Sequence, residues 1–262
     1  MNIYRAVNQL EENGEAGALC TIISTEGSTP RHEGSKMLVF ADGGFIGTVG
    51  GGEVENRVIA EARDSLKDGK IRLLKYTMVD PAQGDPGVCG GTLEVYVEPI
   101  IPRSRLVVIG GGHVGKAVAR LAKWLGFYVI VSDDREEFCT PEMNPDADEF
   151  APVKMADLPT AIKINPYTYL VLTTRGSNVD IEGLEPLLET PAAFIGLIGS
   201  KRRWLVTRKA LIEKGVTSES LNRVHSPMGL ELNAETPEEI AVSIMAEIIM
   251  LRNGGTGKTM KM

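Results

Sequence analysis

The sequence predicts an α/β protein in two parts: an amino-terminal α+β module over residues 1–100, then a doubly wound parallel-sheet domain over residues 104–253, with residues 254–262 as a flexible tail. Three observations predict it. After residue 104, short all-apolar runs alternate with helical patterns, as strands covered on both faces by helices require. Before residue 100, apolar and polar residues alternate instead, with a hairpin signal between two such runs. Between the halves lies Pro99-Ile100-Ile101-Pro102, where two prolines remove backbone donors and restrict the residues before them.

The first module opens with helical spacing from Ile3 to Leu10 and a strand from Ala18 to Ser24. Lys36 to Phe40 then turns at Asp42-Gly43-Gly44 into a strand from Phe45 to Val49. After Gly50-Gly51-Gly52, the residues Val54, Val58, Ala62 and Leu66 recur at helical spacing, and strands follow at Ile71 to Tyr76 and Thr92 to Glu98. In the second part the strands are Arg105 to Ile109, Tyr128 to Ser132, Tyr169 to Thr173 and Phe194 to Gly199. Thr236-Pro237-Glu238-Glu239 starts the last helix with an N-cap, a proline at the first helical position and a capping-box glutamate. That helix is apolar nearly all round, so it is either sandwiched in the fold or shared with a second copy of the chain, which points to a homodimer.

Composition removes several function classes. The 262 residues carry 28 Lys and Arg against 35 Asp and Glu, a net charge of −7, and only 5% aromatics. That balance lacks the phosphate-neutralising charge and stacking platforms of a nucleic-acid binder. Residues 1–100 hold 9 basic and 15 acidic side chains, the remainder 19 and 20, so any anion held by the first module must be met by local donors. No apolar stretch approaches the roughly 18 residues of a membrane span. Three cysteines without a CxxC pair argue against a disulfide framework or zinc site, and a cytoplasmic location fits.

Two glycine motifs carry the chemistry. Gly110-Gly111-Gly112-His113-Val114-Gly115 follows an apolar strand, opens a helix and precedes a second strand ending in Asp133, which is the dinucleotide fingerprint of a Rossmann-like domain. Gly110 allows the turn, Gly112 admits a pyrophosphate, Gly115 brings the helix close, and His113 serves as a spacer. Asp133 is placed for a ribose hydroxyl, whereas Arg135 suits a 2′-phosphate, making NAD or NADP a candidate ligand. In the first module, Gly50-Gly51-Gly52-Glu53 joins strand to helix and is either an anion cradle or a turn that needs positive φ.

Cys89, flanked by Gly87, Gly90 and Gly91, is either a small buried hydrophobe or an approachable nucleophile and soft ligand. The loop Gly27-Ser28-Thr29-Pro30-Arg31 offers hydroxyls and a guanidinium. Thr173 to Asp180 reads as a polar or ligand-binding loop at a strand end. Ser200, Lys201, Arg202 and Arg203 place three cations in a helix's first turn, either awaiting an anion or simply solvated. Gly254 to Thr259 resembles a P-loop only superficially, since Arg252 stands where the first glycine belongs.

Gly47 to Glu55, Val88-Cys89-Gly90-Gly91, Glu98-Pro99, Ile109 to Gly115, Ile198-Gly199-Ser200-Lys201, Pro227-Met228-Gly229-Leu230 and Thr236 to Ala241 occur together and in order. This combination resembles the xanthine dehydrogenase accessory family, XdhC/CoxI. The resemblance implies an accessory domain followed by a Rossmann domain, and a chaperone rather than a turnover enzyme. Such a chaperone binds molybdenum cofactor, as molybdopterin or its dinucleotide form, assists its sulfuration and inserts it into a molybdenum hydroxylase apoenzyme, with a cysteine desulfurase as a further candidate partner. It places cofactor contacts at Gly50, Gly51, Gly52, Glu53, Gly90 and Gly91, with Cys89 as the catalytic or metal contact. The chain departs from its relatives at Ser177 and Asn178, where many have histidine, and at Pro86 to Val88, where methionine is usual. An NAD(P)-dependent oxidoreductase is the alternative reading; no histidine in the sequence has an evident catalytic setting.

Overall fold

The computed structural model describes residues 2–79 and 89–261, which form two units, Met1–Pro102 and Arg103–Met262. Pro86, Gly87 and Val88, named above beside Cys89, lie outside the described residues. Among the described residues no helix is long and apolar enough to cross a membrane.

The first unit is a five-stranded antiparallel sheet with a helix on each face. Its elements are α1 (Ile3–Asn13), β1 (Gly17–Glu26), β2 (Lys36–Phe40), β3 (Phe45–Gly47), α2 (Gly52–Asp68), β4 (Arg72–Thr77) and β5 (Thr92–Ile100), with strand order β3-β2-β1-β5-β4. The period-two pattern of strands sorts the side chains. Cys20, Ile22, Met37, Val39, Leu93 and Val95 turn to Val54, Val58 and Ala62 of α2, while Leu19, Leu38 and Phe40 turn to Ala6 and Leu10 of α1.

In the second unit the elements are β6 (Arg105–Ile109), α3 (His113–Trp124), β7 (Tyr128–Ser132), β8 (Glu149–Ala151), α4 (Leu158–Ala161), β9 (Thr168–Leu172), α5 (Ser177–Leu188), β10 (Phe194–Leu197), α6 (Lys201–Glu213), α7 (Ser218–Leu221), β11 (Val224–His225) and α8 (Pro237–Asn253). The six strands pair in parallel in the order β11-β10-β9-β6-β7-β8, the doubly wound arrangement of a Rossmann domain. The strand order reverses between β6 and β9, and ligands of such sheets bind beyond the carboxyl ends at that point.

Two differences from the sequence reading, at the edge strands and after β9, have local causes. The edge strands β8 and β11 are too short to show a period. The run read as a loop from Thr173 to Asp180 becomes helical at Ser177, since Gly176 serves as N-cap. The greasy last helix buries Ala241, Ile244, Met245 and Ile248 within its own unit, leaving Val242 and Leu251 half exposed. Its capping box is present as read, and Gly254 ends it in left-handed conformation. Gly254 to Thr259 thus follows a helix rather than a strand, which a P-loop would need.

Candidate functional site

Helix starts separate the elements that satisfy their own N–H groups from those that do not. Asn2, Ser200, Thr217 and Thr236 cap α1, α6, α7 and α8 through their side chains. Helices α2, α3 and α5 begin instead on Gly51, Gly112 and Gly176, with no side-chain cap, so their first-turn donors stay open to a ligand.

In the first unit Gly50, Gly51 and Gly52 have φ of 152°, 80° and 59°, a run only glycine adopts at little cost. A Cβ added to Gly51 or Gly52 would meet nothing within 4 Å, so these amides front open space. Glu53, in the first turn, pairs with Arg57 at 3.0 Å, and that hydrogen bond holds its exposed carboxyl below the ordinary range. Thr48 donates to Glu55.

The Cys89 turn lies beside the Gly27 to Arg31 loop. Gly90 N–H donates to Met78 O at 2.6 Å, and a Cβ on Gly91 would fall 2.3 Å from Ser28 O. The same loop reaches the glycine run, since a Cβ on Gly50 would lie 3.2 Å from Pro30 Cγ. Three separate sequence motifs are thereby gathered in one unit. Cys89 is exposed rather than a small core hydrophobe. Cys20 and Cys139 are buried, and burial pushes the Cys20 thiol up to about 12 and raises Cys139 as well. Among the described residues no cluster of three His, Cys, Asp or Glu could hold a bare metal ion.

The second unit's glycine loop has three different constraints. Gly110, at φ 113°, approaches β9 so closely that a Cβ would lie 2.6 Å from Thr173 O. A Cβ on Gly115 would fall 2.0 Å from Gly110 O, which is the helix-to-strand contact expected of the fingerprint. Gly112 faces open space, with nothing within 4 Å of an added Cβ, His113 is exposed, and Val114 packs on the core.

Asp133, only 4% exposed, is the lock of this loop. Its Oδ2 accepts from Gly111 N–H at 2.9 Å and from Arg135 Nη2 at 2.9 Å; its Oδ1 accepts from Arg135 N at 3.0 Å and Nε at 2.9 Å. All four acceptor positions of the carboxylate are taken, so a ribose hydroxyl finds none here unless Arg135 swings away. Arg135 also lies over the Phe138 ring at 3.9 Å. Asn144, which sequence spacing does not mark, donates to Gly111 O at 3.2 Å and Phe138 O at 2.8 Å. Its buried Oδ1 has no partner among the described residues.

A cleft of about 160 Å³ opens beside this loop, lined by Gly110, Asp133, Asp134, Arg135, Lys154 and Arg175 among others. Arg175 grips Asp134 at 2.6 and 2.9 Å, and that hydrogen bond lowers the Asp134 carboxyl to about 2. Of the three cations at the start of α6, Lys201 and Arg202 are exposed, whereas Arg203 finds its anion inside the unit. Asp180, with 0% exposure, accepts from Arg203 Nε at 2.9 Å and from Thr174 Oγ1 at 2.5 Å. Ser200 is occupied as the N-cap of α6, accepting from Arg203 N at 3.2 Å.

One further pair was hidden from sequence reasoning. His225 Nδ1 meets Glu247 Oε1 at 2.9 Å, and Gly229 N–H donates to Oε2 at 2.5 Å. Burial opposes the charge of Glu247, but these two bonds outweigh it and hold its pKa below the ordinary 4.5. A lowered folded value means the stabilisation is complete above the unfolded pKa and is lost as pH falls through the folded one. Glu247→Gln should therefore cost about 1–3 kcal/mol at pH 7. In urea titrations followed by tryptophan fluorescence, its gap from the parent should narrow progressively as pH falls below the ordinary carboxylate value of 4.5.

Comparison with known proteins agrees with this layout. The XdhC Rossmann domain model matches residues 106–248, and the XdhC and CoxI family model matches residues 10–77. The chain belongs to the XdhC and CoxI family. It is 38% identical over 262 residues to YqeB, an uncharacterized protein of Escherichia coli K12, covering 99% of this chain and 48% of YqeB. A Bacillus subtilis protein described as a probable xanthine dehydrogenase component is 34% identical over 161 residues, covering 62% of this chain and 47% of that protein. These matches thus span about half the length of both relatives. The molybdenum cofactor insertion chaperone PaoD of E. coli K12 is 21% identical over 290 residues, covering 92% of this chain and 85% of PaoD. The crystal structure of a Bacillus halodurans protein described as a xanthine dehydrogenase matches with a TM-score of 0.52 and 25% identity, covering 98% of this chain and 97% of that one.

Proposed function

We propose that this XdhC/CoxI protein is an accessory chaperone that binds molybdenum cofactor, assists its sulfuration and inserts it into a xanthine dehydrogenase-type molybdenum hydroxylase. The observation that carries the reading is the gathering of an exposed Cys89, the Gly27 to Arg31 loop and the uncapped start of α2 in one unit. The names of PaoD and the B. subtilis relative support it.

The residues fit the group by its chemistry. Open amides of Gly51 and Gly52 suit a terminal phosphate, and the dipole of α2 favours negative charge there. An exposed thiol, once deprotonated, suits a soft metal or a sulfur atom. When bound, the cofactor supplies a dithiolene-held molybdenum centre whose terminal ligand is exchanged. The chain's own part is to hold the anionic end on main-chain donors, to present Cys89 to the metal end, and to release the whole to an apoenzyme.

On this reading residues 1–100 form the cofactor module and residues 104–253 a nucleotide module, which takes NAD, NADP or the cofactor's own nucleotide through the open amides at Gly112, His113 and Val114. Gly91 and Lys201 complete the proposed contacts, whereas the Gly90 N–H is held by Met78 O and the Ser200 side chain by its N-cap bond. A cysteine desulfurase as sulfur source, a homodimeric state and a cytoplasmic location belong to the same proposal. A nicotinamide-dependent oxidoreductase is the second reading, favoured by the open space above Gly112.

The test is anaerobic purification after co-expression with cofactor biosynthesis, followed by oxidation to fluorescent pterin. Near-stoichiometric pterin is expected, and delivery of active cofactor to an apo-hydroxylase should fall at least roughly tenfold in Cys89→Ala, with unfolding unchanged. Absence of pterin from the parent protein would overturn the reading.

A further inference from the structure

The cleft beside the Gly110 loop is a donor-rich place. Asp133, which sits where acidic residues of such domains accept from a ribose diol, has no acceptor position left. Arg175 donates once to each oxygen of Asp134, which compensates its charge and leaves one acceptor position on each oxygen. Uncommitted donors remain on the same walls: Nη1 of Arg135, Nε of Arg175 and the ammonium of Lys154 have no side-chain acceptor among the described residues. The guanidinium of Arg135 is fixed by its fork to Asp133 and its seat on Phe138, so its free edge is already placed.

A neutral ribose hydroxyl pair needs acceptors, whereas a phosphate monoester needs donors and positive charge. Among the ionic groups lining the cleft, Glu182 is the acceptor left without an ion pair, and it is exposed on α5. We infer that this cleft selects a nucleotide whose ribose carries a 2′-phosphate, the NADP type, over the NAD type, with Lys154, Arg175 and the outer edge of Arg135 as the phosphate contacts. The inference rests on the reading of residues 104–253 as a nucleotide module. Asp133 is then a positioning residue that holds both Gly111 and Arg135 in place, and not itself a ribose ligand.

The experiment compares adenosine 2′,5′-bisphosphate with adenosine 5′-monophosphate by calorimetric titration of the full chain at low salt, with NADPH and NADH as fluorescent counterparts. Charge-assisted hydrogen bonds to the extra phosphate should give at least a roughly tenfold preference for the 2′-phosphorylated member of each pair. Lys154→Ala removes a cation with no ion-pair partner among the described residues, so the fold should stand. It should erase most of the preference, lowering affinity for the 2′-phosphorylated compounds by far more than it lowers that for 5′-monophosphate. A preference that shrinks as salt rises would support the same assignment.

Equal or tighter binding of 5′-monophosphate and NADH would overturn the 2′-phosphate inference while leaving the nucleotide module intact. A preference untouched by both Lys154→Ala and Arg175→Gln would overturn the contacts named here. Failure of all four compounds to bind would overturn the nucleotide reading and this inference together.

Discussion

Arg203→Leu is expected to destabilise the second unit by about 3–5 kcal/mol, because it strands the fully buried Asp180 carboxylate without its counter-ion. Arg203 spans three elements. Its Nε and Nη2 hold Asp180 on α5, and Nη1 and Nη2 also donate to Thr174 O at 3.2 Å beyond β9, all from the first turn of α6. Thr174 Oγ1 can satisfy one carboxylate oxygen but supplies no charge. The double variant Arg203→Leu/Asp180→Leu should recover much of the loss, since an apolar pair of similar volume avoids the desolvation of two ions. Both tryptophans, Trp124 and Trp204, lie in the second unit, so fluorescence-detected urea unfolding reads this unit alone. A single variant that unfolds with the parent's midpoint would show that Asp180 does not depend on Arg203.

The same cluster shows where sequence legibility stops. Three cations at a helix start read as either awaiting an anion or solvated, and both occur: Lys201 and Arg202 are exposed, while Arg203 takes its anion from α5, and no spacing rule links Asp180 to Arg203. Strands β6, β7, β9 and β10 were legible because both faces are covered, which makes their interiors continuous apolar runs. Strands β8 and β11 were not, because two or three residues at a sheet edge carry no period. With β11 went His225, and with it the Glu247 partner 22 residues away. The glycine fingerprint marked a candidate site and assigned Asp133 a ribose role by distance along the chain. Hydrogen-bond saturation, which turns Asp133 into a lock, is a property of the folded loop, and Asn144 joins it from 33 residues beyond Gly111. Cys89 lay between alternatives for a similar reason: glycine neighbours permit either burial or exposure, and only the turn against Ser28 decides.

Two glycines three residues apart should respond in opposite ways, which separates binding from folding. Gly115→Ala places a Cβ 2.0 Å from Gly110 O, 2.9 Å from Thr173 Oγ1 and 3.0 Å from Val108 Cγ1. The first contact is with backbone, so α3 must move off β6, at a cost of about 1–3 kcal/mol or more. Gly112→Val meets nothing within 4 Å, and its φ of −72° and ψ of −166° are extended values that a β-branched residue adopts readily. Reduced freedom of the unfolded chain offsets the poorer N-cap, so stability should stay within about 1 kcal/mol of the parent. The isopropyl group nevertheless fills the space through which a pyrophosphate reaches the α3 amides, and nucleotide affinity should fall at least roughly tenfold. Unfolding midpoints and nucleotide titrations on the two variants give four independent readings. Full-strength binding by Gly112→Val would mean that ligands do not approach over this amide, and the open start of α3 would then be a structural turn and nothing more.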